Sequence, residues 1–307
     1  MLYYYCTNAT FLSIVKNKSI WLSDMTQSND RFEINKYIDI VRETLQQKLD
    51  SIPVTPADYI PQKGPKRREY QKNENRRAVY ASALKRLKTV REDYYCLAIC
   101  FSDVGDSLSQ WRGYGDDGIG ISIGFDEDLI KKLNEQHILF KYGEVKYYSG
   151  EKDDLIQSKM KEYINQLECI SLDVGSSLDQ RNNAIKNWCT KILDDDVPFY
   201  KPEGFIEERE TRFCFVRYIR PSEISHPREN SHLKAVDFHV SNRAIIPHYE
   251  LELKDGDAFL SDIIREVTIG PCNDSDYNTV KSFLAKNGFN HRIIRVKRSC
   301  IPYRARE

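Results

Sequence analysis

Residues 206–216 read Ile-Glu-Glu-Arg-Glu-Thr-Arg-Phe-Cys-Phe-Val, and this stretch decides how the rest of the chain is read. Glu208, Glu210 and Arg212 recur at two-residue spacing, which in an extended strand directs all three to one face. Phe213 to Val216 is apolar on both faces, as in a strand with both sides buried. A strand with an apolar core end and a charged entry predicts a cleft at its mouth. Two carboxylates on one face repel, and a single arginine relieves only part of that. The pattern therefore suits a ligand hydroxyl or cation. On this reading Glu210→Gln should leave stability nearly unchanged. The plainer alternative is a solvated edge strand with an ordinary surface ion pair.

Upstream, Trp111-Arg-Gly-Tyr-Gly-Asp-Asp-Gly lies between two apolar runs, Tyr94–Ser102 and Ile119–Phe125, that read as core strands. Gly113, Gly115 and Gly118 permit close backbone approach, Trp111 and Tyr114 offer flat faces, and Arg112 supplies an anion clamp. These parts suit a nucleotide-like ligand, although the glycines match neither a P-loop nor a dinucleotide-binding fingerprint. As a tight turn between strands, the loop needs only the glycines. Asp24, Asn29, Asp30 and Glu33 make an acidic loop that turn and cap chemistry also explains.

The remaining pattern predicts one α+β domain over residues 1–307, with helical insertions at about 35–92 and 150–197. Asn8 is a candidate cap for a first helix, and Asp274 or Ser275 for a last one. Lys+Arg and Asp+Glu are both 46, so net charge argues for neither nucleic acid nor membrane. The exception is 63–91, a basic stretch carrying Lys66, Arg67, Arg68, Arg76 and Arg77, which reads as a helix with a solvated basic face. No apolar run approaches the ~20 residues of a membrane span. The start lacks signal-peptide features and reads as a strand. The eight cysteines form no Cys-x-x-Cys pair and the six histidines no ligand spacing, which predicts reduced thiols, a cytoplasmic location and no metal site.

Several short motifs occur together. They are Leu2-Tyr-Tyr-Tyr-Cys-Thr, Ile20-Trp-Leu-Ser-Asp, Asn29-Asp-Arg-Phe-Glu, Cys100-Phe-Ser and Gln110-Trp-Arg-Gly-Tyr-Gly. Gly118-x-Gly-Ile-Ser-Ile, Lys201-Pro-x-x-Phe-x-x-Glu-x-Glu-x-Arg, Gly270-Pro and Ile301-Pro-Tyr-Arg complete the series. It resembles the bacterial domain-of-unknown-function family numbered 2971, met in phage-defence and mobile-element neighbourhoods. A strand–helix–strand opening followed late by Glu-x-Glu is also similar to ADP-ribosyltransferases. That second resemblance implies a mixed, mostly antiparallel split sheet and NAD as the bound molecule. It implies Glu210 as catalytic glutamate and Glu208 as the group positioning the acceptor. Trp21, Trp111 or Tyr114 would form the aromatic platform, with Arg112 and Arg212 at the phosphates. Tyr4 stands where that superfamily has His or Arg, so it can donate a hydrogen bond but carries no charge.

Three functions follow as expectations. The first is an NAD-dependent ADP-ribosyltransferase-like effector of a defence or toxin system, with a nucleic-acid or protein acceptor and a defence-system partner protein. The second is a nuclease holding magnesium with Asp24, Asp30, Glu208 and Glu210. The third is a ligand-sensing or interaction module without chemistry.

Overall fold

Phe213, Cys214 and Phe215 are each no more than 1 % exposed, so the apolar run is a strand buried on both faces. The computed structural model describes residues 1–25, 33–56, 59–90, 94–135, 140–173, 175–218, 237–240 and 244–303. These group into two compact units, one of 1–27, 95–145 and 204–307, the other of 28–94 and 146–203. The second spans both stretches that read as insertions, about 35–92 and 150–197.

The first unit opens with β1 (Leu2–Cys6), α1 (Asn8–Asn17) and β2 (Ser19–Asp24). The α1 cap is Thr7, whose hydroxyl accepts from the Thr10 amide at 3.1 Å. Asn8, the expected cap, instead donates to the Ile119 carbonyl at 3.2 Å. In the second unit lie α2 (Glu33–Ser51) and α3 (Gly64–Val90), and β3 (Tyr94–Ser102) leads back to the first. Next come α4 (Leu108–Gly113), β4 (Ile121–Phe125), α5 (Glu127–Glu135) and β5 (Phe140–Glu144). Short β6 (Lys146–Tyr148) and β7 (Tyr200–Pro202) bracket α6 (Asp154–Leu172) and α7 (Leu178–Lys191). The first unit resumes with β8 (Glu210–Tyr218), β9 (Asp237–Val240) and β10 (Ile245–Glu252). A small hairpin of β11 (Lys254–Asp255) and β12 (Ala258–Phe259) precedes β13 (Ile264–Ile269), a helix Tyr277–Lys286 and β14 (Arg295–Arg298). Asp276 caps that helix, accepting from the amides of Asn278 and Thr279, where Asp274 or Ser275 had been expected.

The main sheet runs β14-β13-β4-β1-β3-β2-β10-β9, with β8 on β3 and β5 on β8. In this sheet β1 with β3 and β4, β2 with β3 and β10, β4 with β13, β5 with β8 and β9 with β10 pair antiparallel and β13 with β14 parallel, so the fold is mixed α/β with a mostly antiparallel sheet. One face carries Leu2, Cys6, Ile20, Leu22, Leu97, Ile99, Phe101, Phe213 and Phe215, which join the core beneath α1 residues Phe11, Ile14 and Val15. Alternation then directs Trp21, Ser23, Ala98, Cys100, Glu210 and Arg212 to the opposite face. Trp21, Ser23 and Glu210 lie there because their apolar neighbours claim the core side, whereas Tyr4 keeps two-residue step with Leu2 and Cys6 and packs against the core.

In the second unit, α3 is helical as its periodicity predicts, but its basic residues are not all solvated. Arg76 makes a two-pronged contact with Glu168 of α6, at 2.6–3.1 Å, and Tyr80 donates to the same carboxylate at 3.0 Å. Arg77 donates to the Ile52 carbonyl at 3.1 Å. Two of the five expected surface cations therefore tie elements of the unit together. Arg76→Leu should destabilise it by roughly 1–3 kcal/mol, because Glu168 keeps its charge and loses its main partner. Urea unfolding checks this, and an unchanged midpoint would reduce the contact to surface decoration.

Candidate functional site

Three strands meet β3, a strand with only two edges. β1 pairs at its end, Tyr3 opposite Ser102, whereas β2 pairs further back, Ser23 opposite Ala98 and Asp24 opposite Leu97. The start of β8 sits beside that same end of β3, the Asp103 amide donating to the Arg209 carbonyl at 3.2 Å. β8 therefore follows one edge while β1 and β2 share the other, parting between Ala98 and Ser102. The gap holds a cavity of about 360 Å³, lined by Tyr4, Tyr5 and Cys6 from β1, Trp21 and Ser23 from β2, and Ala98 to Phe101 from β3. Gln110, Gly113, Tyr114 and Glu210 close it. A second cavity of about 330 Å³ shares Tyr4, Thr10, Trp21 and Ser23 with the first and adds Ser13, Ser19 and His239. Together they make one cleft.

Glu210 is the charged side chain among the described residues lining the larger cavity. Its carboxylate takes a hydrogen bond from Arg212 Nε at 2.7 Å and a second from Arg212 Nη2. Arg212 is 1 % exposed, so this is a buried pair. Arg212 does not line the cavity and is not positioned as a phosphate clamp. It neutralises Glu210 from behind.

The expected side-by-side placement of Glu208 and Glu210 is not what the structure has. Residues Glu203–Glu208 form a tight 3₁₀ turn, and Arg209 takes a left-handed backbone, φ 45°. The strand begins only at Glu210. Two-residue spacing counts along a strand and loses its meaning across that reversal. Glu208 sits instead where Tyr114 Oη donates to it at 3.0 Å.

Tyr4 lines both cavities and packs edge-on against Phe101, and burial pushes its hydroxyl well above the usual phenol range. Trp21 remains 39 % exposed at the junction of the two cavities. Trp111, by contrast, is fully buried and offers no face to the cleft. Its indole donates to Asp106 at 2.7 Å and its ring meets Tyr5 edge-on at 4.8 Å, so it seats α4 and thereby Gln110 and Tyr114. Arg112 is exposed and does not line either cavity. Of the loop's glycines, Gly115 packs tightly against Trp111 and Gly118 has a left-handed backbone, φ 85°, whereas a methyl group at Gly113 would meet nothing within 4 Å.

Asp24 shares the core-facing side with Leu22, opposite to the face of Glu210, and Asp30 lies outside the described residues. No group of three or more His, Cys, Asp or Glu suited to a metal ion occurs among the described residues. Sequence reading missed His239 and His248, whose rings come together beside Trp21. Nine residues separate them, and only the β9–β10 register unites them. Among the described residues, no helix is long and apolar enough to cross a membrane.

No curated protein and no solved structure matches this chain. Tyr4, Trp21 and the two histidines lie outside the segment with a family match. That segment, residues 110–213, contains the Gln110 loop and the Lys201–Arg212 motif, and it matches the family described as a protein of unknown function (DUF2971), so across this stretch the chain carries the sequence of that family.

Proposed function

We propose that the cleft binds the nicotinamide–ribose end of NAD and that the chain acts as an ADP-ribosyltransferase-like enzyme. The observation that carries this reading is a single carboxylate, Glu210, in a cavity walled by Tyr4, Tyr5, Trp21 and Tyr114 in the gap of a split sheet. Aromatic faces attract a positively charged ring, and the carboxylate opposes positive charge that develops at an anomeric carbon. About 360 Å³ suits one such fragment. No arginine or lysine lines either cavity among the described residues, so the fit is to this end of the molecule and not to its diphosphate. In this reading Glu210 accepts from a ribose hydroxyl, Tyr4 and Tyr114 orient the sugar, and Trp21 stacks on a ring. An effector role in defence or toxicity, with a nucleic-acid or protein acceptor, extends the proposal on the strength of the motif resemblance.

The buried Glu210–Arg212 pair favours a second reading, a ligand-binding module without chemistry, since a neutralised carboxylate opposes cationic charge less strongly. Incubation with NAD distinguishes the two. Nicotinamide release that is lost in Trp21→Ala supports the transferase, and NAD binding without release supports the binding module. Neither binding nor release would remove NAD from the cleft.

A further inference from the structure

β9 and β10 pair antiparallel with His248 opposite Asp237 and His239 opposite Ile246, which makes the histidines diagonal neighbours on one face. Their Nδ1 atoms are 3.2 Å apart, so one ring donates and the other accepts. His248 is 3 % exposed and lies under the Trp21 indole, ring centres 4.0 Å apart. His239 is less enclosed and lines the second cavity. From β2 the pair meets Trp21 and Ser23, neither of them charged. From β9 and β10 it meets Asp237 and Glu250, which pull the His248 proton affinity up against the burial and the His239 ring that hold it down. Burial also holds His239 below its usual value. Both rings are therefore neutral at neutral pH.

Resting on the transferase reading, the geometry points to His239 as the group that takes the proton of the attacking nucleophile, with His248 positioning it through the Nδ1 contact. In that step the acceptor's oxygen or ring nitrogen bonds to the anomeric carbon of the ribose. The bond from that carbon to the nicotinamide nitrogen breaks, its electron pair leaving with neutral nicotinamide, and the acceptor's proton passes to Nε2 of His239. Thr10, Ser13 and Ser23 line the same cavity and supply hydroxyl partners for the acceptor there.

The test uses NAD with water as acceptor and follows nicotinamide release from pH 5 to 8, with melting temperatures measured alongside. The wild-type rate should fall at acid pH with a midpoint below the ordinary imidazole value of about 6.5, because a protonated ring accepts no further proton. His239→Gln should release nicotinamide roughly 100-fold more slowly, with a flat pH profile. His248→Asn retains an amide partner for His239 and should keep most of the rate, whereas His248→Leu should match His239→Gln. Equal rates and profiles in wild type and His239→Gln would overturn the histidine assignment and leave the transferase reading in place. A wild type that neither binds NAD nor releases nicotinamide would overturn both.

Discussion

On the proposed transferase reading, Glu210→Gln is expected to slow nicotinamide release about 100- to 1,000-fold, and it is expected to cost roughly 3–5 kcal/mol of stability. The first effect follows from removing the carboxylate that faces the cavity. The second follows from Arg212, which is 1 % exposed and would lose the counter-charge that two of its nitrogens hold. Spacing alone had implied a nearly neutral change, on the premise that Glu208 and Glu210 repel each other. That premise fails because the turn at Arg209 carries Glu208 to Tyr114. The two effects separate in the double variant Glu210→Gln/Arg212→Met, which removes both charges and fills the space with an apolar side chain. Its stability should recover towards wild type while turnover stays low. A double variant with full turnover would exclude Glu210 from the chemistry. A single variant as stable as wild type would mean that the pair is solvated.

Gly120→Ala should be a damaging small change, costing roughly 1–3 kcal/mol as an overpacked site, at the upper end because backbone must move. A methyl group at Gly120 would overlap the Cys6 carbonyl oxygen and stand 2.8 Å from that of Gly115. Neither is a flexible side-chain end, so the strain cannot be relieved by a rotamer change. Here the end of β1, the glycine loop and the end of β13 are cinched together. The Gly120 amide donates to Gly115 at 2.8 Å and the Gly270 amide to Gly120 at 3.1 Å. The side-chain amide of Asn273, 3 % exposed, donates to the carbonyls of Ile119 and Gly120 and to Asn8 Oδ1. Because Cys6 and Gly113 line the cavity, loosening this junction should weaken ligand binding along with folding. Thermal unfolding of the variant checks the claim, and a melting temperature equal to wild type would refute the close contact.

The elements were legible in the sequence wherever a local rule sufficed. Apolar runs of strand length at Tyr94–Ser102 and Phe213–Val216 and helical periodicity from Phe32 to Ser51 and from Arg76 to Arg91 each carry their signal within a few residues. Tyr4 and Trp21 were singled out by the transferase resemblance and Tyr114 and Glu210 by residue type and spacing, and the structure brings these four to one cavity. Trp111 and Arg112 stood out by the same criterion. The fold separates them from the cleft, one into the core as a keystone, the other out to solvent.

What the sequence by itself determined about this protein is therefore a set of strands and helices, their alternation, and a short roster of reactive side chains. Only the tertiary structure decided that β1 and β2 share one edge of β3 and part to leave a gap, that Arg212 is a buried counter-charge to Glu210, and that His239 and His248 share a hydrogen bond. The physical reason is range. Periodicity and capping act over a few residues through backbone geometry, whereas strand pairing joins positions as far apart as Ser19 and Glu252. Such pairings are chosen by the burial of the whole apolar face, which no local window of sequence contains.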